Sequence, residues 1–345
     1  MRGVTAGAAS AEAALVAAAR VGNEAAFRRL AEPYTRELHV HCYRMLGSLH
    51  DAEDALQETL LRAWRHLAGF EARSSFRAWL YRIATNVCLS SADRRPDPSP
   101  PPQYPSTPEG EAMFLAPYPD ALLDELPSTT PEPGARYDLH ESVQLALLAA
   151  VQLLPPRQRA VLLLRDVLGF AANEVANLLD TSTASVNSAL QRARATLDRR
   201  REDGRLDLAR TSPPDDIERS LVRRYLDAWE SIDITALVAL LREDAIMTMP
   251  PAPLLFRGRQ AIGDFFATVP AGGALDEIRL VETRANRQPA LAAYVLDREA
   301  GVYRAYGIMV LTLERDAIAE ITGFGDPTLF PLFGLPDELQ TNQAQ

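Results

Sequence analysis

The chain has 345 residues, 47% of them hydrophobic and 24% charged, which is the balance of a globular protein with room for two or three domains. A formal net charge of −10 argues against indiscriminate nucleic-acid binding, and no apolar run is long enough to cross a bilayer. Cys42 and Cys88 lie far apart in helical patterns, so neither a disulfide framework nor a zinc spacing is present, and no cofactor or metal is expected.

Charge is distributed unevenly: residues 1–95 carry +3, 96–138 carry −7, 139–205 carry +2 and 206–345 carry −8. Two mildly basic segments are each followed by an acidic one, a layout that suits regulated nucleic-acid contact. The alanine-rich start, residues 1–19, is read as flexible. Glu12 and Arg20 interrupt any apolar core a signal peptide would need, which points to the cytoplasm.

Residues 20–95 read as helices. The stretch "EAAFRRLAEPYTRELHVHCYRMLG" closes on Gly47 as a C-cap, and "SSFRAWLYRIATNVCLSS" offers Ser74 or Ser75 as N-cap. Between them, "DAEDALQETLLRAWRHL" (51–67) forms a helix with two stripes. At about 100° per residue, Asp51, Asp54 and Glu58 fall within about 60° of one another, and Leu56, Leu60, Trp64 and Leu67 gather opposite as core. The N-terminal dipole accounts for Asp51 and Asp54 but less well for Glu58, so a docking ridge for a basic partner stands beside a solvated face.

Residues 96–138 hold 12 of the 25 prolines and read as an acidic, mostly extended linker. Within it, "MFLAPYPDALLDEL" is apolar enough to form a short helix docked on a neighbouring domain. Helices return over 139–205. There "AANEVANLL", the turn "DTS" and "TASVNSALQRARATLDRR" form a helix-turn-helix, with Ser182 as N-cap and Val175, Leu178, Val186 and Leu190 packed between the helices. Thr183, Ala184, Ser185, Asn187, Ser188 and Gln191 then face outward toward base edges and phosphates, with Arg192 and Arg194 one turn on, placed for phosphates. After a linker at 206–216, helices over 216–233 and 234–244 precede five β-like segments, an α+β domain over 217–335 with a tail at 336–345.

The words of three segments resemble known families. "DAEDALQETLLRAWRHL" with "FRAWLYRIATN" resembles region two of bacterial sigma factors, in particular the extracytoplasmic-function group. The resemblance implies that Asp51, Asp54, Gln57 and Glu58 contact the clamp helices of core RNA polymerase, and that Asn86 meets the minus-ten promoter element. "LPPRQRAVLLLRDVLGF" and the helix-turn-helix resemble region four, which implies contact with the polymerase flap and the minus-thirty-five element. Asp180 stands where that family usually has Gly, and Asn187 and Ala189 where many members have Lys or Arg. "LDAWESIDITALVALLREDAIMTMPP" and "YRAYGIMVLTLERDAIAEITGFGDPTLFPLFGLP" resemble a SnoaL-like domain of the nuclear-transport-factor-two superfamily: helices cradling a curved antiparallel sheet around a pocket. Isomerase members place a carboxylate just before the proline ending the first strand; here that residue is Met249.

The implied architecture is multidomain: an all-α region-two bundle, an all-α region-four module, then the α+β domain. The implied function is promoter-specific transcription initiation, with the last domain an attached, non-enzymatic regulator whose pocket has room for an unidentified small ligand. The competing reading is a helix-turn-helix regulator that works without polymerase and carries a ligand-binding C-terminal domain.

Overall fold

In the computed structural model, residues 2–70, 75–92, 115–124, 144–202, 215–252 and 254–341 are described. The start of the chain, expected to be flexible over residues 1–19, lies within α1 (Arg2–Arg20) from its second residue on. Alanine favours helix, and Val16 and Ala19 are buried where α1 packs along α2 (Glu24–Leu46). Asn23 caps α2 by accepting from the Ala26 N–H at 3.0 Å, and Gly47 ends it at φ 71°, a left-handed position that glycine takes without strain. Ser48 opens α3 (Leu49–His66), and Ser75 opens α4 (Phe76–Ala92) by accepting from the Ala78 N–H at 3.1 Å.

In the proline-rich segment, Asp120–Asp124 form a short α5, the helix expected there; apart from 115–124, the segment 96–138 lies outside the described residues. Then follow α6 (Leu145–Gln152) and α7 (Pro156–Leu162), which continues through one π-turn over Leu163–Val167. The helix pair α8 (Ala172–Leu178) and α9 (Thr183–Glu202) completes the first half.

The chain divides into two compact units: residues 1–96, 125–142 and 150–205 in one, residues 97–124, 143–149 and 206–345 in the other. In the first, α2 packs on α3 and α4, and α7 packs on α9. Arg159 of α7 ties its halves together. Its buried guanidinium donates to the carbonyls of Val151 at 3.1 Å, Gln152 at 2.6 Å and Leu154 at 3.2 Å, and also to the Met45 carbonyl at the end of α2. Gln152 donates in turn to the Arg44 carbonyl at 3.0 Å. Helix C-termini leave carbonyls without intrahelical donors, and one arginine fork satisfies several of them.

Two histidines of α2 are buried in the same unit. Burial, helped by the nearby Arg44 and Arg77, pushes the His41 pKa down to about 3, and its Nε2 lies 2.9 Å from Thr85 Oγ1. Burial likewise lowers His39 to about 4, against the pull of Glu53. Both imidazoles take up protons below about pH 6.5 in the unfolded chain but stay neutral when folded, so this contribution to stability is complete above pH 6.5 and declines as pH falls. Between pH 7.5 and 5.0 the His41→Gln variant is expected to lose about 2 kcal/mol less stability than the parent. Urea unfolding followed by Trp64 and Trp79 fluorescence in a Trp229→Phe background measures the difference, and equal losses would contradict it.

The second unit begins with α10 (Asp215–Glu230) and α11 (Ile234–Ala239). The strands are β1 (Leu241–Thr248), β2 (Leu255–Arg257), β3 (Ile278–Ala285), β4 (Gln288–Asp297), β5 (Val302–Glu314), β6 (Ala317–Phe324) and β7 (Glu338–Gln340), with α12 (Gly258–Thr268) between β2 and β3. They form one open sheet in the order β2-β1-β6-β5-β4-β3, with β7 added on β5. The helix expected over 234–244 stops early, because Leu241 is buried and pairs with Ile318 of β6; sheet pairing overrides helical propensity there. The sheet was expected to be antiparallel but is mixed, since β1 and β6 run parallel while the other neighbours are antiparallel. Only adjacent strands joined by a tight turn must be antiparallel, and β1 reaches β6 after four intervening strands and α12. Trp229 of α10 anchors the helices to the sheet, donating its indole N–H to the Ile278 carbonyl at 3.2 Å.

Candidate functional site

On α3 the buried stripe consists of Leu49, Ala52, Ala55, Leu56, Thr59 and Ala63. Leu60 and Trp64, expected opposite the carboxylates as core, are only half-buried, and Trp64 leans on Phe27 with ring centroids 5.3 Å apart. The core face is thus turned by about 70° from the one the large residues suggest, because small residues let neighbouring helices approach closely. The turn leaves Asp54, Gln57 and Leu61 exposed, with Glu58 and Asp51 half-buried at its flank. Glu58 accepts from Arg62 Nε at 2.6 Å, and Gln57 donates to Glu53 at 3.2 Å, whereas Asp54 makes no hydrogen bond or ion pair among the described residues. Leu61, 41% exposed among these polar groups, was not singled out from the sequence; it was assigned to no stripe, since only its contacts reveal that the helix is rotated.

On α4, Asn86 is exposed and its carbonyl accepts from Ser90 Oγ at 2.9 Å. Tyr81 is fully buried, and Trp79 is half-buried against Phe70 and Phe76. Arg77 holds Glu37 in a two-pronged pair at 3.0 Å and lies over the rings of Tyr81 and Phe170. That last ring comes from the loop before α8, so the two helical modules meet here.

In the helix-turn-helix, Ser182 accepts from the Ser185 N–H at 3.1 Å and Asp180 adopts φ 51°, so the turn forms without glycine. Val175, Leu178, Val186 and Leu190 are buried between the helices. Thr183, Ala184, Ser185, Asn187, Ser188, Gln191 and Arg192 all lie on the exposed side of α9. Arg194 is different. It forms a two-pronged ion pair with Asp166, at 2.8 and 2.5 Å, and Asp166 is only 1% exposed. A buried carboxylate needs such a partner, so this arginine serves the fold, while its own side chain stays 38% exposed.

The second unit carries two features. One is a clasp on the segment 115–124. Tyr118 and Asn286 bond reciprocally: the Tyr118 N–H donates to Asn286 Oδ1 at 2.8 Å, and the Asn286 N–H donates to the Tyr118 carbonyl at 2.9 Å. Asp120 accepts from Arg284 Nε at 3.3 Å and from the Arg287 N–H at 2.7 Å, while Asp124 pairs with the Arg287 side chain. Asn286 and Arg287, at φ 57° and 62°, form the two-residue turn between β3 and β4. Burial raises the Asp120 carboxyl above its ordinary range despite both arginines.

The other feature is a cavity of about 170 Å³ between the sheet and the helices α10 and α12. Met249, in the slot where isomerases carry a carboxylate, lines it. No Asp, Glu, His, Lys or Arg belongs to the described lining.

Residues 30–95 match the family described as Sigma-70 region 2, residues 144–197 the family described as Sigma-70, region 4, and residues 222–321 the SnoaL-like domain. The ECF RNA polymerase sigma factor SigG of Mycobacterium tuberculosis is 45% identical over 318 residues, which cover 89% of this chain and 83% of that protein. This chain belongs to the extracytoplasmic-function sigma factor family. As a sigma factor it binds RNA polymerase and directs transcription initiation. The ECF sigma factor SigW of Bacillus subtilis is 28% identical over 183 residues, covering 53% of this chain and 92% of its own. The crystal structure of the M. tuberculosis sigma factor SigJ shares the fold at a TM-score of 0.56, with 22% identity, covering 87% of this chain and 97% of that one. The region-two match falls on α2 to α4, the region-four match on α6 to α9, and the sigma factor's SnoaL-like match begins in α10. None of the described helices is long and apolar enough to cross a membrane.

Proposed function

We propose that this sigma factor docks on the clamp helices of core RNA polymerase through the exposed face of α3, with Asp51, Asp54, Gln57 and Glu58 meeting arginines and Leu61 adding an apolar contact among them. Region four engages the flap. Asn86 on α4 contributes to the minus-ten element, and the N-terminal turns of α9, from Thr183 to Arg192, read the minus-thirty-five element in the major groove. Arg194 serves the fold through Asp166. The SnoaL-like domain is a non-enzymatic regulatory module, its pocket open to a small ligand, and the protein works in the cytoplasm beside its polymerase.

The observation that carries the polymerase contact is the outward face of α3. Carboxylates spaced three and four residues apart repel one another mildly, and helix stability does not call for them. Regulation from within the chain is supported by the clasp. A segment of the connection between regions two and four is bound by the β3–β4 turn of the SnoaL-like domain, so the two parts are linked energetically as well as covalently.

Run-off transcription with purified core enzyme across candidate promoters tests the whole reading. The full chain should form a holoenzyme and start transcripts at a fixed position, and stable operator binding without core enzyme would favour a polymerase-independent regulator. Removing residues 217–345 is expected to change promoter output or affinity at least severalfold. Unchanged output and unchanged affinity would reject the regulatory role.

A further inference from the structure

We infer that the cavity of the SnoaL-like domain binds a neutral, ring-sized apolar molecule of about seven to ten heavy atoms, a monocyclic or fused aromatic compound, by burial alone. This deepens the proposed regulatory reading by naming the chemical class the pocket accepts.

Five aromatic residues, Trp229, Phe265 and Phe266 among them, and three methionines, Met247, Met249 and Met309, belong to its walls. Two polar side-chain groups belong to the lining. The Trp229 indole N–H is already spent on the Ile278 carbonyl, and Tyr306 is 43% exposed, so it lies at the mouth of the cavity. A carboxylate or ammonium moved into this space would lose its water and gain no counter-charge, an expense of several kcal/mol per ion. The cavity therefore selects against ions of either sign.

Its size sets the upper limit. An apolar protein cavity of about 150 Å³ lined by Leu, Ile and Phe stays dry and takes up benzene. At about 170 Å³ this cavity is slightly larger, enough for one ring with a short substituent or a small fused pair. Its walls favour aromatic guests. The Trp229 and Phe266 rings meet edge to face at 85° and the Phe265 and Phe266 rings at 68°, a geometry that a guest ring can extend. Methionine sulfurs add favourable contacts to ring edges, and their unbranched chains adapt to guests of different shape.

The chain has six methionines, three of them in the cavity wall, so methyl-labelled methionine gives a direct readout on the full-length protein. Toluene and indole, titrated separately, are expected to shift the Met247, Met249 and Met309 methyl signals saturably, with a Kd of about 1 mM or tighter. Met45, buried in the other unit, should not move, and benzoate should shift none of the three. Ala293 lines the cavity, and Ala293→Phe fills it; binding should weaken at least tenfold. Gly323→Ala is the milder change, because its added Cβ would sit 3.6 Å from Met249 Cγ, an ordinary contact; it should weaken indole more than toluene.

Absence of saturable shifts, equal binding of benzoate, or unaltered binding in both variants would overturn the inference. The regulatory reading fails separately. If deletion of residues 217–345 leaves transcription unchanged while toluene still binds, the pocket stands without its role. If deletion alters transcription while neither probe binds, the role stands without this pocket.

Discussion

Replacing Asp54 and Glu58 together with arginine is expected to lower the affinity of this sigma factor for core RNA polymerase by about 100-fold or more. Coupling energies of about 1.5–7 kcal/mol have been found for close charge pairs across protein interfaces, and reversal both removes the attraction and sets like charges against each other. The fold should survive. Asp54 is exposed with no described partner, and Glu58 holds only the surface pair with Arg62, worth about 0.3–0.5 kcal/mol. Co-elution on a sizing column and titration of labelled protein into core enzyme measure the loss, with Glu230→Arg, exposed on α10, as the control reversal. The loss should shrink as salt is raised, because rim charges are screened over about 10 Å at 0.1 M. Undiminished association at unchanged stability would remove α3 from the polymerase interface.

The second large effect concerns Arg159→Met. The substitution keeps most of the buried stem but withdraws every side-chain donor from the carbonyls of Met45, Gln152 and Leu154, whereas the Val151 carbonyl keeps the Leu154 N–H at 3.1 Å. Each buried acceptor left unpaired costs about 1–3 kcal/mol, partly relieved if water enters, so a net loss of about 3–5 kcal/mol is expected. Urea unfolding followed by Trp64 and Trp79 fluorescence should show it as a lowered midpoint. A loss under 1 kcal/mol would mean that water replaces the guanidinium without penalty. Arg159→Lys should recover little, because a single ammonium cannot span the carbonyls that the planar fork reaches.

Helical periodicity and end chemistry carried much of this fold in the sequence. Gly47, Ser75 and Ser182 each mark a helix end by a residue type whose physics is local, and the outward set on α9 follows from two turns of regular helix. What local pattern does not carry is the choice of buried face where small residues compete with large ones. On α3 the eye goes to Leu60 and Trp64, whereas Ala52, Ala55 and Ala63 decide the packing because they permit close approach. Long-range pairing was equally out of reach. Asp120 meets Arg284 across 164 positions, and Arg194 meets Asp166 across 28, so nothing adjacent in sequence announces either bond. The parallel contact of β1 with β6 belongs to the same class.

The bond that Arg159 makes to the end of α2 bears on distance along DNA. Elements named minus ten and minus thirty-five lie about 25 base pairs apart, or about 85 Å at 3.4 Å per step. A close-packed body of about 170 residues, the size of the first unit, has a radius of gyration near 15 Å and so spans about 40 Å. If α4 and α9 contact both elements as proposed, the two halves of the unit have to come apart, and the guanidinium that joins them through the Met45 carbonyl has to let go first.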